Sequence, residues 1–301
     1  MLVILCPGQG SQTPGFMAPW LELPQYASII SELSDASAID LVTHGTLSDA
    51  DTIRDTAIAQ PLIVAASIAS AALLPPGAAG VAGHSVGELA AASVAGVLDR
   101  QDAIRLVRKR GDEMAKAAAL ESTSMAAVLG GEPADVIEAL NSKGLYPANY
   151  NGSGQIVAAG SKSGIDALVA TPPTGTRVVA LSVAGAFHTK YMAPAVGELD
   201  QFAKNIATND PKTNLWSNQN GQKVNSGLEF LKLIVGQVAN PVRWDLCMDA
   251  MVAAGVTAVI EVSPAGALAG LAKRGMPGVE VLALKTPDQL DAAAALIENH
   301  K

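Results

Sequence analysis

Aromatic side chains are scarce, at 4% of the 301 residues. A core built without them must interlock small and aliphatic groups, and the abundance of alanine and glycine suits closely packed α/β layers. Charged residues are also few, at 16% against 49% apolar, which excludes a disordered chain. Basic residues are outnumbered 20 to 28, for a net charge of −8. Nucleic-acid binding requires a surface that neutralises phosphates, so no nucleic-acid partner is expected. There are two cysteines, Cys6 and Cys247, far apart in apolar settings. Two buried thiols are expected rather than a disulfide, and no metal-ligand spacing is present. No apolar run approaches the roughly 20 residues of a membrane-spanning helix. The apolar start Leu2–Cys6 lacks the basic flank of a signal peptide, so a cytoplasmic protein without membrane attachment is expected.

What is present is organised around Gly83-His84-Ser85-Val86-Gly87-Glu88. The G-x-S-x-G spacing matches a nucleophile elbow, where a strand turns sharply into a helix with serine at the apex. The flanks agree: residues 78–82 are small and apolar like a buried strand, and 89–98 are an alanine-rich helical run. Side chains at positions 83 and 87 would collide at the turn. The Val86 N–H falls at the helix N-terminus, where a negative oxygen is stabilised.

Other segments alternate between strand and helix patterns. Strands are expected at 2–6, 78–82, 124–129, 145–149, 155–159, 177–181, 214–218, 258–262 and 279–284. Between the first strand and residue 26 lies the glycine-rich loop Pro7-Gly8-Gln9-Gly10-Ser11-Gln12, whose spacing is neither phosphate-binding motif but leaves backbone N–H groups free. Helices are expected at 26–40, 53–74 with a break near Pro61, 99–119, 133–140, 162–170, 194–206, 227–237, 243–254, 266–274 and from 287. Residues 123–188 read β-α-β-β-α-β, with a turn at Asn151-Gly152-Ser153-Gly154. The expected fold is therefore α/β: a large, α/β-hydrolase-like domain with a parallel sheet, formed by 1–122 and 189–301, interrupted by a small ferredoxin-like α+β domain at 123–188. Its site should lie at the C-terminal strand ends.

A serine needs a base, usually histidine, and there are four histidines. His84 adjoins Ser85 and by alternation should point elsewhere. His300 sits in a tail expected to fray, and His44 in a polar connector expected to be solvated. His188 remains, in the apolar loop 183–189 after a strand, either as base or as a structural histidine. The acid that orients a hydrolase histidine follows no obvious strand end, so the chain departs from an ordinary hydrolase. On the 99–119 helix the apolar stripe runs through Ala103, Val107, Met114 and Ala118, and Arg110 falls beside it. A guanidinium there needs an anionic partner, which a structural carboxylate or a substrate carboxylate could supply.

These runs resemble a known family. The loop 7–12, the elbow 83–88, Arg110-Gly111, Ala186-Phe187-His188, and Gln237 followed by Asn240-Pro241-Val242-Arg243-Trp244 are similar, in order, to the malonyl-CoA:acyl carrier protein transacylases. The resemblance runs from Pro7 to about Arg274. It implies an acyltransferase that moves malonyl from malonyl-CoA to the phosphopantetheine thiol of holo acyl carrier protein through acyl-Ser85, for fatty-acid biosynthesis, with no bound cofactor and as a monomer. His188 would be base and then acid, and the N–H groups of Gln9 and Val86 the oxyanion hole. Arg110 would bind the malonyl carboxylate, and Gln237 would orient His188 through its carbonyl. Phe187 would narrow the acyl pocket against a methyl branch, or simply be core; Gly185 stands where malonyl-specific polyketide domains often have histidine. Lys190, Lys273 and Arg274 are candidates for carrier docking on an otherwise acidic protein. A polyketide acyltransferase, a serine esterase or thioesterase, and a non-catalytic carrier-docking subunit are the competing readings.

Overall fold

The computed structural model describes residues 1–183 and 185–301; Ala184, in the loop expected before His188, lies outside them. Two five-stranded sheets carry the chain. The first is formed by β1 (Leu2–Cys6), β2 (Gly80–Gly83), β7 (Asn214–Trp216), β9 (Ala258–Glu261) and β10 (Glu280–Ala283). Its order is β10-β9-β1-β2-β7, and every pairing is parallel. Every residue of β1, β2 and β9 is buried, because helices cover both faces of a parallel sheet. This explains the unbroken apolar runs.

The second sheet contains β3 (Thr123–Gly130), β4 (Tyr146–Gly152), β5 (Gln155–Ser161) and β6 (Thr176–Ala180), with helices Pro133–Ser142 and Lys162–Ala170 between them. The order β6-β3-β5-β4 and its antiparallel pairings give the ferredoxin-like arrangement expected from the pattern. Two details differ. β4 continues through Gly152, so the hairpin turn is Ser153-Gly154, both at positive φ, rather than all four residues from Asn151. A fifth strand, β8 (Val242–Arg243), pairs parallel with β4 from the other part of the chain. Its second residue, Arg243, is the first of the segment expected to be helical, and the helix begins only at Trp244.

The Thr56–Ala71 helix also departs from expectation. Pro61 lies inside it without ending it. A proline at this position forfeits one N–H bond, but Gln60 to Ser70 are all buried, so packing on every side holds the helix. Its start is set by Asp55, whose carboxylate accepts the Ala57 N–H, after a separate 3-10 turn at Thr52–Arg54. No helix among the described residues is long and apolar enough to cross a membrane.

Candidate active site

The elbow connects β2 to the Gly87–Val94 helix. A Cβ on Gly83 would lie 2.1 Å from the Gly87 carbonyl group, and one on Gly87 would lie 2.2 Å from the Cys6 carbonyl oxygen. Only glycine lets strand and helix approach this closely. Between them Ser85 is held at φ +53°, a left-handed conformation that costs on the order of 1–3 kcal/mol in a non-glycine residue.

His188 faces it. Its Nε2 lies 2.7 Å from Ser85 Oγ, and its Nδ1 lies 2.9 Å from the carbonyl oxygen of Gln237. A carbonyl can only accept, so Nδ1 carries the proton and Nε2 presents its lone pair to the serine hydroxyl. The missing acid is thus replaced by a backbone carbonyl. Gln237 is the last residue of the Gly227–Gln237 helix, where carbonyl oxygens lack helical partners and carry partial negative charge. The His188 N–H donates to the next carbonyl, of Val238, at 3.1 Å. His188 is itself at φ +60°, so both members of the pair occupy the left-handed region. Burial, then the nearby Arg110 charge, push the His188 imidazole down to about 3, which keeps it neutral.

Arg110 leaves the Arg100–Ala118 helix on its buried side, whereas Arg105, Arg108 and Lys109 form ion pairs with Asp102, Asp112 and Glu113. Its guanidinium is 1% exposed. It donates to Gln60 Oε1 at 2.7 Å and Gln237 Oε1 at 2.9 Å, and Nε has no partner among the described residues. Among the described residues no carboxylate bonds it. The charge nearest to it by influence is Glu88, and burial lowers its pKa to about 10 against that carboxylate's pull. Glu88 is buried at the base of the elbow and pushed up to about 8 by desolvation, opposed first by the Asn218 N–H and then by Arg110.

A cavity of about 700 Å³ lies between the two sheets, lined by Ser85, His188, Gln60, Met114, Phe187 and Asn151 among others. Arg110 does not line it; Gln60 does. Gln9 also lines it, on a loop pinned by the Gln12 bond to the Ile53 carbonyl at 3.0 Å. The backbone N–H groups of Gln9 and Val86 have no acceptor among the described residues. Phe187 is 6% exposed, so it is both core and cavity wall. Of the docking candidates, Arg274 borders this cavity, whereas Lys190 sits over the rings of Tyr146 and Tyr191, beside a separate depression.

Of the other histidines, His84 points away from Ser85 as expected, whereas His300 and His44 differ from expectation. His84 bonds Asn151 at 2.9 Å rather than Ser85, yet it shares the cavity wall. His300 is not frayed: it bonds Thr257 at 2.8 Å and pairs with Glu280. His44 lies in the Leu41–Thr46 helix and bonds Ser48 at 3.0 Å.

The model of the acyl transferase domain family matches residues 3–294. The chain belongs to the acyl transferase domain family. It is 48% identical to a malonyl CoA-acyl carrier protein transacylase of Mycobacterium tuberculosis, across 98% of this chain and 100% of that protein. A crystal structure of a transacylase from the same organism superimposes with a TM-score of 0.94 at 48% identity, covering 98% of this chain and 99% of the other. A malonyl-transacylase solved with a holo type II polyketide acyl-carrier protein superimposes with a TM-score of 0.92 at 28% identity, covering 98% and 99%.

In this acyl transferase domain, sequence reasoning missed Asn218, Gln60 and Glu88. Glu88 had a signal in its place one residue past the elbow. Asn218 follows β7 at a C-terminal strand end, where sites of parallel sheets gather. Gln60 had none, since it lies inside a helix 50 residues from Arg110.

Proposed function

We propose that this chain transfers a malonyl group from malonyl-CoA to the phosphopantetheine thiol of holo acyl carrier protein, supplying fatty-acid synthesis. The observation that carries this reading is the Ser85–His188 contact at 2.7 Å with a buried arginine sharing Gln237 with the histidine. The names of the similar transacylases support the substrate, and the transacylase solved with its carrier supports the partner.

In the first half-reaction the Ser85 proton passes to His188 Nε2 as Oγ attacks the thioester carbonyl. The N–H groups of Gln9 and Val86 hold the oxyanion. The C–S bond then breaks, and His188 returns the proton to the departing CoA sulfur. In the second half the carrier thiol gives its proton to His188, its sulfur attacks the acyl carbon, and Ser85 leaves with the proton. The malonyl carboxylate reaches Arg110 by replacing Gln60, which stands between the cavity and the guanidinium, and accepts a two-point fork. Phe187 limits the acyl pocket. Serine, histidine and backbone donors complete this chemistry without a bound cofactor. We divide the chain into 1–122 with 189–301, carrying Ser85, and 123–188, which closes the cavity from the other side.

Intact-mass measurement after incubation with malonyl-CoA, then with holo carrier, tests the reading. Ser85 should gain a malonyl group that a thiol removes faster than water does. Failure of Ser85→Ala to abolish the adduct overturns the serine assignment. Discharge mainly to water identifies an esterase instead.

A further inference from the structure

We propose that Asn218 is a positioning residue that holds both halves of the Ser85–His188 pair. The inference rests on that pair being the reacting one. Asn218 is fully buried just beyond β7. Its Oδ1 accepts the Ser85 N–H at 2.7 Å, and its Nδ2 donates to the Gly83 carbonyl at 2.7 Å. One amide thus clamps the elbow on both sides of its apex. Through the same Oδ1 it accepts Gln237 Nε2 at 3.2 Å. Gln237 is the residue whose carbonyl orients His188.

Glu88 closes the circuit. Its carboxylate accepts the Asn218 N–H on one oxygen, at 2.6 Å, and Gln237 Nε2 on the other. Asn218, Gln237 and Glu88 are therefore bonded to one another and to the elbow backbone, with Gln237 Oε1 left to accept from Arg110 and Asn218 Nδ2 also 3.7 Å from Cys247 Sγ. None of these bonds reaches the reacting atoms. They fix where those atoms sit.

The residue type follows from the contacts. The position must accept from two N–H groups and donate to a carbonyl, which an amide does and an ionised carboxylate cannot. Without the amide, the Ser85 N–H and the Gly83 carbonyl lose their partners inside the protein, and the left-handed Ser85 loses the bond that holds it there. A protonated aspartic acid has the same shape and could both accept and donate, and burial beside Glu88 would keep it protonated.

The test compares wild type, Asn218→Ala, Asn218→Asp and the control Ser67→Ala. Ser67 is equally buried and bonds the Ser263 carbonyl, away from the pair. Steady-state malonyl transfer, the rate at which a fluorophosphonate labels Ser85, and Tm are measured on each. Asn218→Ala should lower both kcat and labelling about 100-fold with KM for malonyl-CoA little changed, since misplacing a nucleophile by about 1 Å costs that much. Asn218→Asp should stay within about ten-fold of wild type, and Ser67→Ala should keep wild-type rates. A wild-type labelling rate in Asn218→Ala, a loss confined to KM, or equal damage in Ser67→Ala overturns the inference. If Asn218→Ala does not fold, Asn218→Asp decides: retention supports the inference, and a loss as large as that of His188→Ala overturns it. Wild type that fails to label at Ser85 overturns the pair's assignment as well, so the two failures are distinguishable.

Discussion

Replacing Arg110 with alanine would separate the carboxylate recognition proposed for it from everything else the site does. The guanidinium is buried and, among the described residues, bonded only to the amide oxygens of Gln60 and Gln237. A malonyl carboxylate would join it in a water-poor pocket, where breaking such a pair costs about 3–5 kcal/mol. At about 1.4 kcal/mol per factor of ten, malonyl transfer should fall by at least about 100-fold. Acetyl has no second carboxylate and should not bear that loss. Both substrates share the collateral damage at Gln237, which loses a donor whichever acyl group is bound. The ratio of kcat/KM for malonyl-CoA to that for acetyl-CoA, read by intact mass of the acyl-enzyme, cancels that common part. A fall of two orders of magnitude in the ratio is expected, with Arg110→Lys intermediate because it keeps the charge but loses the fork. An unchanged ratio, however low both rates, refutes the role given to Arg110.

The pH dependence has a definite sign. His188 acts as a base only when neutral, and with its pKa near 3 the acylation rate should stay flat from neutral pH to about 4, with no inflection near the usual histidine value. In Arg110→Ala, loss of the neighbouring positive charge should move the inflection upward, which a kcat/KM profile would detect. His188→Ala should reduce acylation by about 10²–10⁴-fold at unchanged Tm, the usual span for a lost general base. Gly87→Ala should yield little folded protein, because its Cβ would meet the Cys6 carbonyl oxygen at 2.2 Å; recovery of soluble protein with wild-type Tm would refute the packing argument. Glu261→Gln should lower Tm measurably, since one buried carboxylate caps the Ala267–Gly275 helix by accepting the N–H groups of Gly266, Leu268 and Ala269. At about 2 kcal/mol for the lost charge-assisted bonds, the shift should be roughly 4–8 °C.

Local patterns carried much of the fold and pointed to the two residues, Ser85 and His188, that the structure brings into contact. The elbow is a short-range object: two glycines, a serine between them, a buried strand before and a helix after. His188 emerged because only four histidines compete, and Arg110 because helical phase separates it from Arg105, Arg108 and Lys109. Contacts made across long stretches of chain were invisible. Asn218 meets Ser85 from 133 residues away, and Gln60 meets Arg110 from 50. No local composition marks a buried amide whose donors and acceptors are supplied by other elements. Pro61 was misread for the same reason: propensity argues for a break, and burial on every side of the Thr56–Ala71 helix overrides it. Arg243 reads as a helix start because the two-residue strand Val242–Arg243 has no periodicity of its own, and only β4 beside it makes it one.

The use of a carbonyl in place of an acid bears on the competition between thiol and water. An aspartate beside the histidine would stabilise the imidazolium and strengthen the base. Here Gln237 supplies orientation and only a partial charge, while burial and Arg110 oppose protonation, so His188 is a weak base. A thiol ionises near pH 8.5, far below water at 15.7, and needs correspondingly less help from that base to attack. A weak, well-placed histidine therefore favours exchange between two thiols over hydrolysis. Binding of the malonyl carboxylate to Arg110 would offset the charge that depresses His188 and strengthen the base when that acyl group is in place. On this argument, a variant that puts a carboxylate next to His188 Nδ1 should raise hydrolysis of the acyl-enzyme more than transfer. A rise in transfer alone, measured as the ratio of thiol to water discharge, would show that base strength does not govern the partition.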